Sequence, residues 1–194
     1  MTHTMRSLKT ALTRFARDES GLITAEAVIA MPILVWWYVG SFVFFDAYQA
    51  RNINLKAAYT VSDMLSREDG EVNAAYIEGL EDIYTYLTDG SGSNAALRVT
   101  LVKCSENCGL DNGYRVLDLD WSYATSSMAA LTAGELVSYL DDIPLMPEGD
   151  RVIMIESFID YEPAWQVGIF DPSDFDNIIV TRPRFVPQIP WSDS

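Results

Sequence analysis

The sequence predicts an α+β fold, in which one long N-terminal membrane-spanning helix leads into a small outer domain with an antiparallel sheet. Three observations carry this. From Ala27 to Phe45 no residue is charged, and counting back to Leu22 gives 24 residues whose only charge is Glu26. At about 1.5 Å rise per residue, such a run is long enough for the ~30 Å apolar thickness of a bilayer. Apolar residues then keep a helical spacing as far as Leu87, and beyond Asn94 they alternate, the mark of strands with one buried face.

Taken in order, residues 1–20 are polar overall, with Leu8, Ala11, Leu12 and Phe15 at helical spacing. This predicts a short amphipathic helix at the cytoplasmic interface. The span contains Pro32 and Gly40, both tolerated in membrane helices, and Pro32 predicts a kink. Past Phe45 the residues Ala50, Ile53, Ala57, Val61 and Met64 fall near one stripe, with Arg51, Asn52, Lys56 and Ser62 elsewhere. One helix of more than ~40 residues is therefore expected from the membrane into the outer domain, at the usual 3.6-residue period.

Asp69-Gly70 breaks that helix, and Val72 to Leu87 reads as a second, with Tyr76, Leu80, Ile83 and Leu87 apolar. Asp89 to Asn94 is a Gly/Ser loop. Leu97, Val99 and Leu101 then share one strand face, with Arg98 and Thr100 on the other. A turn at Asn112-Gly113 precedes a return strand with Leu117, Leu119, Trp121 and Tyr123 on one side and Asp118 and Asp120 on the other, which predicts a hairpin. A helical piece from Thr132 to Leu140, a Pro-containing loop from Pro144 to Gly149, a strand from Arg151 to Tyr161 and a last strand from Asn177 to Phe185 complete the domain. Pro187 and Pro190 make the tail extended. The sheet is expected to pack on the outer part of the first helix.

The formal net charge of −15 divides unevenly. Residues 1–21 carry Arg6, Lys9, Arg14 and Arg17 against Asp18 and Glu19, whereas the rest of the chain has nine basic and 26 acidic residues. Basic residues flanking a span stay in the cytoplasm, so a single pass with the N-terminus inside is expected. The acidic surface excludes nucleic acid as a partner, because phosphate binding needs clustered Lys and Arg. A secretory signal peptide fits poorly, since the apolar run exceeds the usual core of such a peptide and no small-x-small site follows at Phe44-Phe45-Asp46.

Glu26 carries the most demanding physics. A carboxylate inside a span costs roughly a few kcal/mol on insertion scales and as a rule is paired or functional. Close to the end of a span it can instead reach the headgroups, and position alone leaves both readings open. The spacing of Gly21, Leu22 and Glu26 ahead of an apolar helix and behind a basic arm resembles the prepilin processing site of the type IV pilin group. The resemblance implies cleavage after Gly21 by a membrane aspartyl peptidase, Leu22 as the new N-terminus, and Glu26 as the acid that pairs with a free amine inside a filament. Asp18 and Glu19 stand where Lys or Arg is often found before the Gly, and Leu22 where Phe or Met is common.

The run Phe15-Ala-Arg-Asp-Glu-Ser-Gly21, followed by Glu26-Ala-Val-Ile-Ala-Met-Pro32, is similar to the N-terminus of TadE-like proteins, the minor pseudopilins of tight-adherence (Flp) pilus systems. The similarity is strongest over residues 15–67. Arg151 to Pro163 and Thr181-Arg-Pro-Arg-Phe185 match the family more loosely. The resemblance implies residues 1–21 as a cytoplasmic leader, 22–45 as the transmembrane helix and 46–194 as a periplasmic pseudopilin-like domain. It also implies residence in the bacterial inner membrane, with a prepilin peptidase, other pilins and pilus assembly proteins as partners. An unprocessed, signal-anchored periplasmic scaffold of an envelope complex is the alternative.

The remaining motifs are weighed against plainer readings. Asp89-Gly-Ser-Gly-Ser93 is similar to the first element of the metal-dependent adhesion site of larger TadG-like relatives, but that site needs a preceding strand and a long α/β domain, so a loop is expected and no metal. Cys104 and Cys108 are expected to form a local disulfide outside the cytoplasm, with two free thiols as the alternative. Zinc would need further ligands, and the sole histidine, His3, is placed across the membrane.

No enzyme is predicted. His3 cannot serve a catalytic triad in the outer domain, and no glycine-rich phosphate loop is present. Asp118 and Asp120 read as part of a solvated face, and neither they nor Glu156 is promoted to a general acid or base. No cofactor and no small-molecule substrate are expected. Trp36-Trp37-Tyr38 falls inside the span, where contact with another helix and contact with lipid are both open.

Overall fold

The computed structural model describes residues 22–88, 95–109, 114–126, 128–161 and 173–193. The predicted amphipathic helix over 1–20, the loop at 89–94 and the turn at 112–113 lie outside them. Two compact units divide between Val43 and Phe44. Helix α1, Leu22–Ser66, contributes to both and is 45 residues long, as the unbroken apolar run and the stripe after it require.

In the first unit α1 runs through Pro32 without ending. Every residue from Met31 to Tyr38 is exposed, Trp37 at 69% and Tyr38 at 74%. This stretch has no polar face, so it is not the surface helix of a water-soluble domain, which keeps one. Among the described residues, α1 is the one helix long and apolar enough to cross a membrane.

The second unit begins with the remainder of α1, which buries Asn54, Ala57, Ala58, Val61, Ser62, Leu65 and Ser66. The spacing of three and four residues is that of a single helical face. Met64, expected on this stripe, is instead 38% exposed and Leu65 takes the inward place, while Ser62, expected off the stripe, is buried on it. Met64 and Leu65 both fit a 3.6-residue period after Val61, and the sheet beneath selects the row spaced by four. Helix α2, Ala74–Leu87, starts at Asn73, whose side-chain oxygen accepts a hydrogen bond from the Tyr76 N–H at 3.0 Å. It buries Ile77, Leu80 and Tyr84.

Four strands follow: β1 (Ala96–Glu106), β2 (Val116–Ala124), β3 (Arg151–Tyr161) and β4 (Ser173–Thr181). They form one antiparallel sheet in the order β2-β1-β3-β4. The hairpin and β3 lie where the alternation placed them. The last strand does not: it begins four residues earlier than expected, and pairing with β3 ends at Thr181 opposite Ile153. Pro183, two residues on, has no N–H to extend a ladder, which leaves Phe185 outside the sheet and 70% exposed. The expected helical piece from Thr132 to Leu140 forms only a 3-10 turn at Leu136–Tyr139.

Both faces of the sheet are covered. On one face Leu97, Val99, Leu101, Trp121, Ile153, Ile155 and Ile179 meet α1 and α2. On the other, Val102, Cys104, Val152 and Met154 are sealed by Leu131, Leu136, Ile143 and Met146 from the irregular connection between β2 and β3. A β-bulge redirects β2: Leu101 lies opposite Trp121 and Val102 opposite Leu119, so Asp120 has no partner in the ladder. The expected common face for Leu117, Leu119, Trp121 and Tyr123 is therefore split. Leu117 and Leu119 join the second core, and Trp121 and Tyr123 the first.

The C-terminal tail closes the unit at the α1–α2 connection. Arg184 N–H donates to the Ser66 carbonyl at 2.8 Å, Val72 N–H to Pro190 at 3.0 Å, and Ser192 N–H back to Val72 at 2.8 Å. The tail places Ile189 fully inside the core, where its carbonyl accepts the Trp121 indole N–H at 2.9 Å.

Candidate functional site

The sequence singled out the start of α1. Gly21 lies outside the described residues. Leu22 opens the helix, and Glu26 follows one turn later on an exposed position. Among the described residues Glu26 has no hydrogen-bond or ion-pair partner. A carboxylate with no partner among the described residues, ahead of an exposed apolar surface, needs a cation or the polar headgroup layer beside it in apolar surroundings. The arrangement can anchor and associate.

The other predicted pair is joined: Cys104 and Cys108 are bonded, with Sγ atoms 2.10 Å and Cα atoms 5.9 Å apart. Asn107 takes a left-handed φ of 56° to bring the second cysteine back, and Asn is among the residues that tolerate this best. Gly149, at φ 83°, lets the start of β3 turn against the same point, where its N–H donates to the Cys104 carbonyl at 2.9 Å.

The acids considered for catalysis separate into two kinds. Asp118 is exposed. Asp120, expected on a solvated face, is instead part-buried, because the bulge turns it toward Arg151, whose Nε donates to Oδ2 at 2.5 Å. Glu156 accepts both Nε and Nη2 of Arg98, at 2.5 and 2.6 Å, and the same guanidinium donates to the Tyr139 hydroxyl at 2.6 Å and the Ala129 carbonyl at 3.2 Å. The forked hydrogen bond with Glu156 holds Arg98 above its ordinary pKa. Arg115 acts on the same layer, donating to the carbonyls of Leu140, Ile143 and Pro144. Arg98 and Arg115 tie the connection between β2 and β3 to the sheet, and the Asp120–Arg151 pair joins β2 to β3 across β1. Among the described residues no group of three or more His, Cys, Asp or Glu side chains could hold a metal ion.

Where α1 leaves the charge-free segment, Asp46 accepts a hydrogen bond from the Tyr161 hydroxyl at 2.8 Å. Tyr161 stacks on Phe175 with ring centres 5.1 Å apart. Burial, then the hydrogen bond to Asp46, push the Tyr161 phenol up to about 12. Two turns further along α1, the Tyr84 hydroxyl donates to Asn54 Oδ1, and burial raises its pKa to about 12 as well.

One feature escaped the sequence reading altogether. An open groove of about 780 Å³ lies between the start of α2, the end of β2 and the C-terminal tail. Its floor is a run of three rings: Trp191 lies 5.1 Å from Trp121 and 5.2 Å from Tyr123, centre to centre. Glu78 accepts the Tyr123 hydroxyl at 3.0 Å, which raises that phenol's pKa, and Asp193 accepts the Trp191 indole N–H at 2.9 Å. The available signal was weak: a large aromatic, Trp191, in an otherwise Pro-rich and polar tail.

No protein-family model matches the chain, and neither does any curated protein or solved structure.

Proposed function

We propose that this protein is a non-enzymatic, membrane-anchored pseudopilin that takes part in assembling a tight-adherence pilus, similar to TadE-like proteins. In this reading the chain is held in the bacterial inner membrane by residues 22–45, with the outer domain in the periplasm. A prepilin peptidase cuts after Gly21, and the apolar part of α1 then associates with other pilins.

The single observation that carries the proposal is the exposed, all-round apolar stretch of α1 with Glu26 unpartnered one turn into the helix. Lipid alone satisfies the apolar surface and leaves the carboxylate either to the headgroups or to a cation of a partner. A free α-amine at Leu22 of a neighbouring mature subunit would satisfy both the charge and the packing. Among the described residues the part-buried acids Asp120 and Glu156 are engaged by Arg151 and Arg98, which supports a role in association over one in turnover.

The test is the intact mass of the protein from cells with and without an active prepilin peptidase. A chain beginning at Leu22 only when the peptidase is active is the expected result. Retention of the leader in both strains would sink the pseudopilin reading and leave the signal-anchored scaffold.

A further inference from the structure

The groove floored by Trp121, Tyr123 and Trp191 differs from the rest of the domain surface in three ways. Three aromatic side chains converge in this open concavity, and its volume falls within the range of small-ligand and peptide-side-chain pockets. Its charged lining residues, Glu78 and Asp193, are both acids, and no Lys, Arg or His lines it. It also adjoins a sheet edge. β2 is a terminal strand, and beyond Asp118 and Asp120 its last residues, from Trp121 to Ala124, carry no charge.

Charged side chains are a common way to keep a free edge from pairing, and of the uncharged edge stretches, Trp121–Ala124 on β2 and Asn177–Thr181 on β4, the first is the one that borders the groove. Strand addition there would run the incoming chain past the groove, because Ser122 and Tyr123 belong to both. Alternate side chains of an added strand point to one face, so every second residue would face the rings and carboxylates. Acids beside aromatic faces select a cation, through ion pairing and the ring quadrupole together. The start of α2 makes the choice more specific. Ala74 and Ala75 line the groove at a helix N-terminus, whose first-turn N–H groups lack intrahelical acceptors and suit the carbonyls of a peptide better than a simple cation.

We propose that this groove and the adjoining β2 edge dock an extended segment of a partner protein with Lys or Arg at alternate positions. The inference does not rest on the pseudopilin reading, since it uses only the outer domain. The experiment measures anisotropy of a labelled Lys-Thr repeat octapeptide titrated with the full chain in uncharged detergent micelles, against a Glu-Thr repeat. Saturable, salt-sensitive binding of the lysine peptide alone is expected. It should weaken by about tenfold in Glu78→Gln/Asp193→Asn, in which each amide keeps an acceptor oxygen and only charge is lost. Asp174→Asn/Asp176→Asn, with the same change in net charge, should bind like the unmodified chain. Equal weakening in both double variants would reduce the effect to bulk charge and overturn the proposal. So would equal binding of the two peptides, or full competition by spermine at the lysine peptide's own concentration.

Discussion

Helix α1 presents two kinds of surface along one uninterrupted backbone. Between Met31 and Tyr38 it carries large apolar side chains on every side, all exposed. Between Asn54 and Ser66 it buries a narrow stripe in which Ala57, Ala58, Ser62 and Ser66 are small, and it leaves Lys56, Tyr59 and Thr60 outside. The contrast teaches that the same secondary structure answers to two different solvents. A stripe is the signature of a helix whose partner lies on one side in its own chain. A uniform apolar surface is the signature of surroundings that are apolar in every direction, whether lipid or neighbouring helices.

The largest expected difference is in folding stability. Leu65→Ala removes a fully buried side chain and should cost the outer domain about 2–5 kcal/mol, read from urea unfolding of the full chain in micelles. Val35→Ala removes a similar side chain from an exposed position and should leave that transition within about 0.5 kcal/mol. Equal losses at the two sites would erase the distinction between the halves.

A charge should reverse the ranking. Leu34→Arg places a guanidinium in the uniform apolar stretch and should disfavour membrane insertion by roughly 3 kcal/mol, a shift of about a hundredfold in the inserted fraction. Thr60→Arg, on the exposed side of the striped half, should leave insertion unchanged. Flotation of the two variants with liposomes measures this directly. Comparable loss of flotation in both would mean that the charge-free run is not what holds the protein in the bilayer.

The two halves also differ in how far the sequence disclosed them. The charge-free run and the stripe after it are local patterns, and each fixed its part of α1 to within a residue or two of side-chain facing. The alternation around Leu97–Leu101 and Leu117–Tyr123 likewise disclosed the hairpin. What stayed hidden depends on contacts between distant residues. Arg98 and Glu156 are 58 positions apart, and only the register of β1 on β3 brings them opposite each other. Leu131, Leu136, Ile143 and Met146 follow no period, so nothing local announced that they would cover a second sheet face. The bulge at Asp120 shifts the alternation by one residue, and a pattern read straight through it assigns Leu117 and Leu119 to the wrong core. For the site, the Cys104–Cys108 bond was visible because these are the chain's two cysteines, and Glu26 stood out as the one charge in the apolar run. The aromatic groove was not, because Trp191 reaches Trp121 only once the tail has folded back.

The smallest effect sharpens the comparison at Asp46, the first charged residue after the apolar run. The Tyr161 phenol is held at about 12, above the ordinary value near 10. A group whose folded-state pKa is raised contributes its full stability below the unfolded value and loses it as pH climbs toward the folded one. The contribution should therefore be intact up to about pH 10 and decline between about 10 and 12. Burial is the larger cause and the Asp46 carboxylate the smaller, so Asp46→Asn should lower the Tyr161 pKa only part of the way back. The absorbance change on forming tyrosinate, read as the difference between the full chain and its Tyr161→Phe counterpart in each background, isolates this one group. An unchanged midpoint in Asp46→Asn would mean that the first charge after the apolar run has no electrostatic hold on the sheet, and that burial alone sets the behaviour of the ring.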